Sequence, residues 1–321
     1  MKVPEKDRSP RGGRQWLRLL IVKDFTPGSS PQDDRRLEKL RWSVFIALHL
    51  VCFAALWTGI SPTALLVALG LYLARMFFIG GFYHRYFSHK TFKASRGVQF
   101  AMAAAGCTAG QRGPLWWAGH HRYHHAHTER PEDPHSPRQR GLFVAHMGWF
   151  MKAENWPTPA RYVRDWARFR ELRWIDRYDF LPFFALAALA WGTGALLARF
   201  APQLHTNGAQ MLVVGFFWST IALYHGTYTI NSLAHLWGRR SYATRDDSRN
   251  NGLLALLTLG EGWHNNHHFY PGAARQGVRW WELDITYWGL RLCAGLGLIR
   301  RLRPVPERVF AAAKRTPDRA C

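Results

Sequence analysis

Apolar positions fall in four blocks separated by long polar stretches. Residues 42–60 are almost wholly apolar and uncharged, Ser61-Pro62 interrupts them, and 63–82 continues apolar apart from Arg75. A second pair of runs occupies 180–200 and 211–230, with a short connector between them. Each run is close to the ~20 residues that carry a helix across a bilayer core. The pattern predicts an all-α integral membrane protein with four transmembrane helices in two hairpins. Between the pairs, 83–178 is polar and dense in Arg, His, Trp and Pro. Only 98–110 is apolar there, too short to cross comfortably and better suited to a buried or interfacial helix. The region 231–300 is polar again until an apolar stretch at 290–299. Residues 1–41 and 301–321 are expected to be exposed basic tails around a domain at 42–300. The apolar piece Leu17–Val22 is too short for a cleavable signal.

Charge orients this pattern. The connectors near 61–62 and 201–210 carry no Lys or Arg, whereas the polar regions and tails carry nearly all of them. By the positive-inside rule, 83–178 and 231–300 form a helical cytoplasmic cap, and both termini are cytoplasmic. The formal net charge of +22 suits anionic lipid or a phosphate-bearing ligand. No nucleic-acid motif accompanies it, so nucleic acid is not expected as a partner. Sixteen tryptophans suit membrane–water interfaces. The cysteines Cys52, Cys107, Cys293 and Cys321 have neither metal-site nor disulfide-framework spacing.

The chemistry lies in histidine. Ten of the sixteen fall in four clusters: His84-Arg-Tyr-Phe-Ser-His89, His120-His121-Arg-Tyr-His124-His125, Asn231-Ser-Leu-Ala-His235 and His264-Asn-Asn-His267-His268. His121, His124 and His125 have i, i+3, i+4 spacing, as do His264, His267 and His268, which predicts a shared helix face for each trio. His84 and His89 are i, i+5, about 140° apart on an ideal helix, and converge only if the helix distorts between them. Two clusters follow the cytoplasmic ends of the second and fourth runs and two lie in the cap, so all four can meet on one side of the membrane. Imidazole suits Zn, Cu, Fe and Ni, and so many ligands without Cys exceed one metal and point to a pair of non-haem irons. Outside the clusters, His49 and His225 lie within predicted spans and His205 in a connector. His120, His127, His135 and His146 are expected to pack or to support ligands. Glu129, Glu132, Asp133, Asp246, Asp247 and Glu261 are near enough to accept from the ligands' outer nitrogens.

The boxes HRYFSH at 84–89, HRYHH at 121–125, NSLAH at 231–235 and GEGWHNNHH at 260–268, with EDPH at 132–135 and AHMGW at 145–149, resemble membrane fatty acyl desaturases, specifically the stearoyl-CoA (Δ9 acyl-CoA) desaturase family. The likeness spans about residues 40–300. It implies four transmembrane helices under a cap holding a di-iron centre, two Fe2+ ions. It implies nine ligands, His84, His89, His121, His124, His125, His235, His264, His267 and His268, with Asn231 joining through a water. It also implies a kinked acyl tunnel lined by Gln111, Trp117 and Thr227. The residues between boxes, such as GQRGPLWWAGHH, look bacterial, which suits the inner membrane. No His-Pro-Gly-Gly haem motif is present, so the electron donor is expected to be separate: a ferredoxin, a rubredoxin, or cytochrome b5 with its reductase.

The resemblance implies O2-dependent formation of a cis double bond in a long-chain acyl group, with acyl-CoA as the expected substrate form and Δ9 as the expected position, in membrane lipid surroundings. Such methylenes have no acidic proton, so a cofactor must supply oxidising power and the protein orientation. Arg122, inside the second box, is a candidate contact for a phosphate headgroup. The alternative is a di-iron membrane hydroxylase of alkyl, sterol or carotenoid substrates. A metal transporter would place its ligands nearer mid-membrane.

Overall fold

The structure, a computed structural model, describes residues 31–315. Numbering only the longer elements, α1 spans 31–58, α2 Pro62–Ser88, α3 Arg96–Cys107, α4 Pro114–His127, α5 Arg170–Arg177, α6 Phe180–Phe200, α7 208–231, α8 Gly252–Leu257, α9 His264–Phe269, α10 Ile285–Gly295 and α11 Glu307–Arg315. Strands β1 (Lys93–Ala94) and β2 (Ile299–Arg300) form one antiparallel pair.

Among the described residues, three helices are long and apolar enough to cross a membrane: Asp34–Thr58, Pro62–Ser88 and Phe180–Phe200. The sharp turn between α1 and α2 uses Gly59 at φ 75°, and Ser61 caps α2 by accepting from the Ala64 amide, with Pro62 at the first helical position. The fourth expected span is a helix over 208–231. It is less apolar because Ser219, Thr220, Tyr224, His225, Thr227 and Tyr228 serve as internal contacts. Outward faces carry Leu56, Leu66, Phe184 and Leu189, all strongly exposed, as a lipid-facing belt requires.

The boundaries moved where packing overrode composition. Helix α1 starts at Pro31, so 31–41 of the expected tail is helical, and Arg41 is buried with its guanidinium on the Met151 carbonyl at 3.0 Å. The expected C-terminal tail likewise contains α11, where the Val309 carbonyl accepts from the Tyr242 hydroxyl at 3.0 Å. Residues 1–30 and 316–321 of the tails lie outside the described residues. Arg75, the lone charge in the second run, donates to Thr220 Oγ1 at 2.8 Å and Ser219 Oγ at 2.5 Å, which ties α2 to α7.

The two connectors meet at one end of the bundle, where Ser61 Oγ donates to Thr206 Oγ1 at 3.0 Å and Thr63 Oγ1 to the Leu204 carbonyl at 3.0 Å. At the opposite end, α2 widens into a π-helical stretch, Phe78–Ser88, whose residues are buried from Ile79 onward. Helix α3 packs on this stretch so tightly that a Cβ on Gly106 would lie 2.0 Å from the Tyr83 ring. Tyr83, Tyr86, Phe87, Phe92, Met102, Trp166 and Leu172 form the main core around this stretch.

Candidate metal centre and its cavity

The π-helical end of α2 resolves the i, i+5 problem. The His89 amide donates to the His84 carbonyl at 3.2 Å, a π-type bond that brings the two rings to 5.0 Å between centroids. Across them lies α4, which presents His121 and His125. The six-residue α9 is fixed from behind by its asparagines. Asn265 exchanges hydrogen bonds with the Tyr242 backbone, and Asn266 donates to Glu282 at 2.8 Å while accepting from Asn250 at 2.6 Å.

Two groups of ring nitrogens result, each with its ligand atoms within 4.8 Å of one another: His84, His89, His121, His125 and His267; and His124, His235, His264 and His268. The trios expected on one face divide between them. On each helix the i and i+4 rings enter one group and the i+3 ring enters the other. Asn231, at the end of α7, lines a small cavity with His124, His235 and His264. Asp133 and His135 form a third grouping with His124. Asp133 already accepts from His124 and from the amides of Glu129 and His135, so it acts as a brace.

Carboxylates set the tautomers. Nδ1 of His84 faces Glu261, that of His124 faces Asp133 at 2.9 Å, that of His235 faces Glu129 at 3.0 Å and that of His268 faces Asp246 at 3.0 Å. A carboxylate at Nδ1 holds the proton of a neutral imidazole there and leaves the Nε2 lone pair free. Those lone pairs converge. Nε2 of His267 lies 3.0 Å from that of His84 and 2.9 Å from that of His125; the His89–His121 and His264–His235 distances are 2.8 and 3.1 Å. Nε2 of His124 and His268 is buried without a partner. Protonation offers no escape from this repulsion. Burial first, then neighbouring imidazoles, pushes His89, His121, His125, His264 and His267 well below the usual histidine range, and burial takes His268 down to about 4 despite Asp246. Imidazole nitrogens converging in this way fit metal cations.

Burial would raise the bracing carboxylates, but their partners outweigh it. His124 and His135 hold Asp133 below the ordinary range, and His84 and Arg85 hold Glu261 at about 2. Glu132 is exposed, and Asp247 sits 3.6 Å from Arg138 away from the rings. The sequence reading missed Arg85. It is fully buried, grips Glu261 at 2.9 Å and Asp284 at 3.0 Å, and so fixes the carboxylate that orients His84. Gly80 permits this, since a Cβ there would come within 2.8 Å of the Glu261 carboxylate.

Arg122 is not a headgroup contact. Its donors go to the Phe87, Ser88 and Tyr162 carbonyls and to Asp165, all within 3.1 Å, strapping α4 to the end of α2. His120 packs at a tilt against both Trp116 and Trp149, which stack on each other, and His127 stacks on Tyr123. His205 is exposed. His49, His225, His146 and Ser232 form a chain of hydrogen bonds of 3.1, 3.0 and 2.9 Å from α1 through α7 to the cap.

An apolar cavity of about 220 Å³ runs to the centre from between α1 and the cap. It is lined by Val44, Phe45 and Leu48 near one end and by Trp117, His121, Thr227 and Asn231 at the other. A cavity of about 40 Å³ shares Trp117, His121, Thr227 and Asn231 and continues past the rings toward Met76, Ile79 and Ile230. Trp117 stacks on His121 at 5.2 Å, and Gln111 donates to Thr227 Oγ1 at 3.1 Å, so Gln111, Trp117 and Thr227 meet where the two cavities join.

Comparison with known proteins gives a consistent picture. Residues 61–298 match the family model described as fatty acid desaturase. The chain is 35% identical to an sn-2 palmitoyl-lipid 9-desaturase of Nostoc sp. (strain 36), over 88% of this chain and 94% of that protein. It is 32% identical to an sn-1 stearoyl-lipid 9-desaturase of Anabaena variabilis, over 81% and 91%. It is 33% identical to acyl-CoA 5-desaturase AL21 of Anemone leveillei, over 82% and 78%.

Proposed function

The chain belongs to the fatty acid desaturase family, and on that premise we propose that it introduces a cis double bond into a long acyl chain, at Δ9, using O2 and electrons from a separate donor protein. The observation that carries this is the apolar cavity ending on two groups of converging imidazoles. Two irons, one per group, would be held by His84, His89, His121, His125 and His267, and by His124, His235, His264 and His268 with Asn231 through a water. When bound, they supply the oxidising power that C–H cleavage needs. Every other task falls to the chain's own side chains.

Four carboxylates keep the imidazole protons on Nδ1. The apolar wall of Phe45, Leu48 and Phe150 strips water from the acyl chain. Trp117 and Thr227 bend it beside the rings, so that distance from the head decides which carbons react. The two relatives named as acyl-lipid 9-desaturases favour a lipid-linked acyl group over the acyl-CoA that the histidine boxes alone suggest. In this reading α7 is the fourth transmembrane helix, and the cap faces the cytoplasm from an inner membrane.

The test is expression in a host without other desaturases, with double bonds in total lipids mapped by mass spectrometry. New cis-Δ9 acyl chains are expected. Hydroxylated chains in their place would mark a hydroxylase, and no new product with iron and reductant present would end the proposal.

A further inference from the structure

The carboxylates that brace the two histidine groups differ in where they sit. Glu129 and Asp133, facing His235 and His124, belong to the loop at 128–133, and Asp246, facing His268, belongs to the loop at 243–249. All three of those rings are in the second group. The short helix Pro137–Arg140 joins the loops, with Gln139 Nε2 donating to the Glu129 carbonyl at 2.9 Å and Arg138 lying 3.6 Å from Asp247. In the first group, Glu261 is instead gripped by the fully buried Arg85. One hydrogen bond, from His268 Nδ1 to Asp246, therefore separates a ring of the second group from a surface loop.

The side chains that these segments turn to solvent are mostly basic. Arg130, Arg138, Arg140 and Arg245 are all exposed, against the exposed Glu132 and the partly exposed Asp247. Arg140 donates to the Pro131 carbonyl at 2.6 Å, and the guanidiniums of Arg130 and Arg245 have no partner among the described residues. None of the four lines the two cavities that meet at Trp117, so this face stays open when those are filled. Exposed like charges gain nothing from one another; they attract an anionic partner and orient its approach. Formation of a double bond as proposed above takes one O2, two electrons and two protons, and releases two waters. The electrons come from outside the chain, and the basic face lies on the side from which the centre is closest to a surface loop.

We propose that Arg130, Arg138, Arg140 and Arg245 form a docking face, on the His268 side of the centre, for a small one-electron carrier protein with an acidic surface. The proposal rests on the desaturase reading above and adds to it where the donor binds.

The full chain, iron-loaded and in neutral detergent, is titrated with an oxidised plant-type ferredoxin as the acidic probe and with oxidised cytochrome c as a basic one. The unaltered chain is expected to bind the ferredoxin in preference, and more weakly as ionic strength rises, because salt screens exposed charges. Arg130→Glu combined with Arg245→Glu is expected to raise that Kd by about tenfold or more, with melting temperature and iron content at the parent level. Arg170→Glu combined with Arg177→Glu, at two exposed positions of α5, is the control and is expected to leave the Kd unchanged. If the first variant loses iron or melts early, Arg130→Gln with Arg245→Gln, and Arg138→Gln, decide by the same criteria. No loss in the first variant, an equal loss in the control, or equal binding of cytochrome c overturns the proposal. A fall in affinity for anionic micelles with ferredoxin binding intact would assign these arginines to lipid phosphate and overturn it too. Failure of the unaltered chain to bind the ferredoxin, in a host that gains double bonds, removes the docking face and leaves the desaturase reading standing. Binding as expected, in a host that gains none, sinks the desaturase reading instead.

Discussion

Asp133 accepts the Nδ1 proton of His124 at 2.9 Å while its own burial is complete. The carboxylate, which also accepts from the amides of Glu129 and His135, thereby aims the His124 lone pair at the second histidine group. Asp133→Asn keeps the shape but removes the charge that fixes the tautomer. Loss of such an outer partner costs about 10–100-fold in metal affinity. The variant is expected to lose iron from one group first, read as iron per chain by elemental analysis after dialysis against a weak chelator. Unchanged iron content would remove Asp133 from the site.

Much of this site was legible in the histidine boxes, because ligand chemistry needs particular residue types. The division of labour within a box was not. The spacing of His121, His124 and His125 predicted one face, but i+3 and i+4 differ by about 100° on a helix, enough to serve two centres lying side by side. His84 and His89 seemed too far apart in angle until the π-helical turn supplied the distortion. Arg41 was assigned to an exposed tail because its neighbours are polar, yet the cap folds over it. His49, His146 and His225 were read singly; only the packing of α1 and α7 against the cap joins them.

Arg85 holds two buried carboxylates at once, Glu261 and Asp284. Removing a partner from a buried ion pair leaves uncompensated charge and costs about 3–5 kcal/mol. Arg85→Gln is expected to lower the melting temperature in detergent well beyond the effect of Arg96→Gln, whose solvent-exposed pair with Glu171 contributes little. Equal melting temperatures for the two variants would refute the assignment of Arg85 as the tie between α2 and the carboxylates of Glu261 and Asp284.

Asp165 anchors the strap that Arg122 and Lys90 form between the cap and α2, at 2.9 and 2.5 Å. Burial raises its pKa, but hydrogen bonds from Arg122 and Lys90 outweigh this, and the folded value lies below the usual 3.8. A depressed carboxylate contributes stability above its unfolded pKa and loses it as pH falls through the folded value. The contribution is therefore full at pH 7 and declines only below about pH 4, and partial exposure limits it to about 1 kcal/mol. Asp165→Asn is expected to lower the melting temperature at pH 7 and to narrow its difference from the parent protein at pH 3. A constant difference across that range would show that the charge is not what matters.

On the proposed desaturase reading, Trp117 sets where the double bond forms. Its ring stacks on His121, lies 6.0 Å from His84, and stands where the two cavities meet. An acyl chain entering beside Phe45 must turn around it to reach Met76 and Ile79. Trp117→Ala removes the corner and lets the chain slide, so a single product should become a mixture of neighbouring positions, while iron content stays at the parent level because no ligand is altered. Slippage costs rate as well, since misplacement of about 1 Å can lose a factor of about 100. Mass spectrometry of double-bond positions separates the two effects: slow turnover with one unchanged position would mean that Trp117 supports His121 and leaves the choice of carbon to other residues.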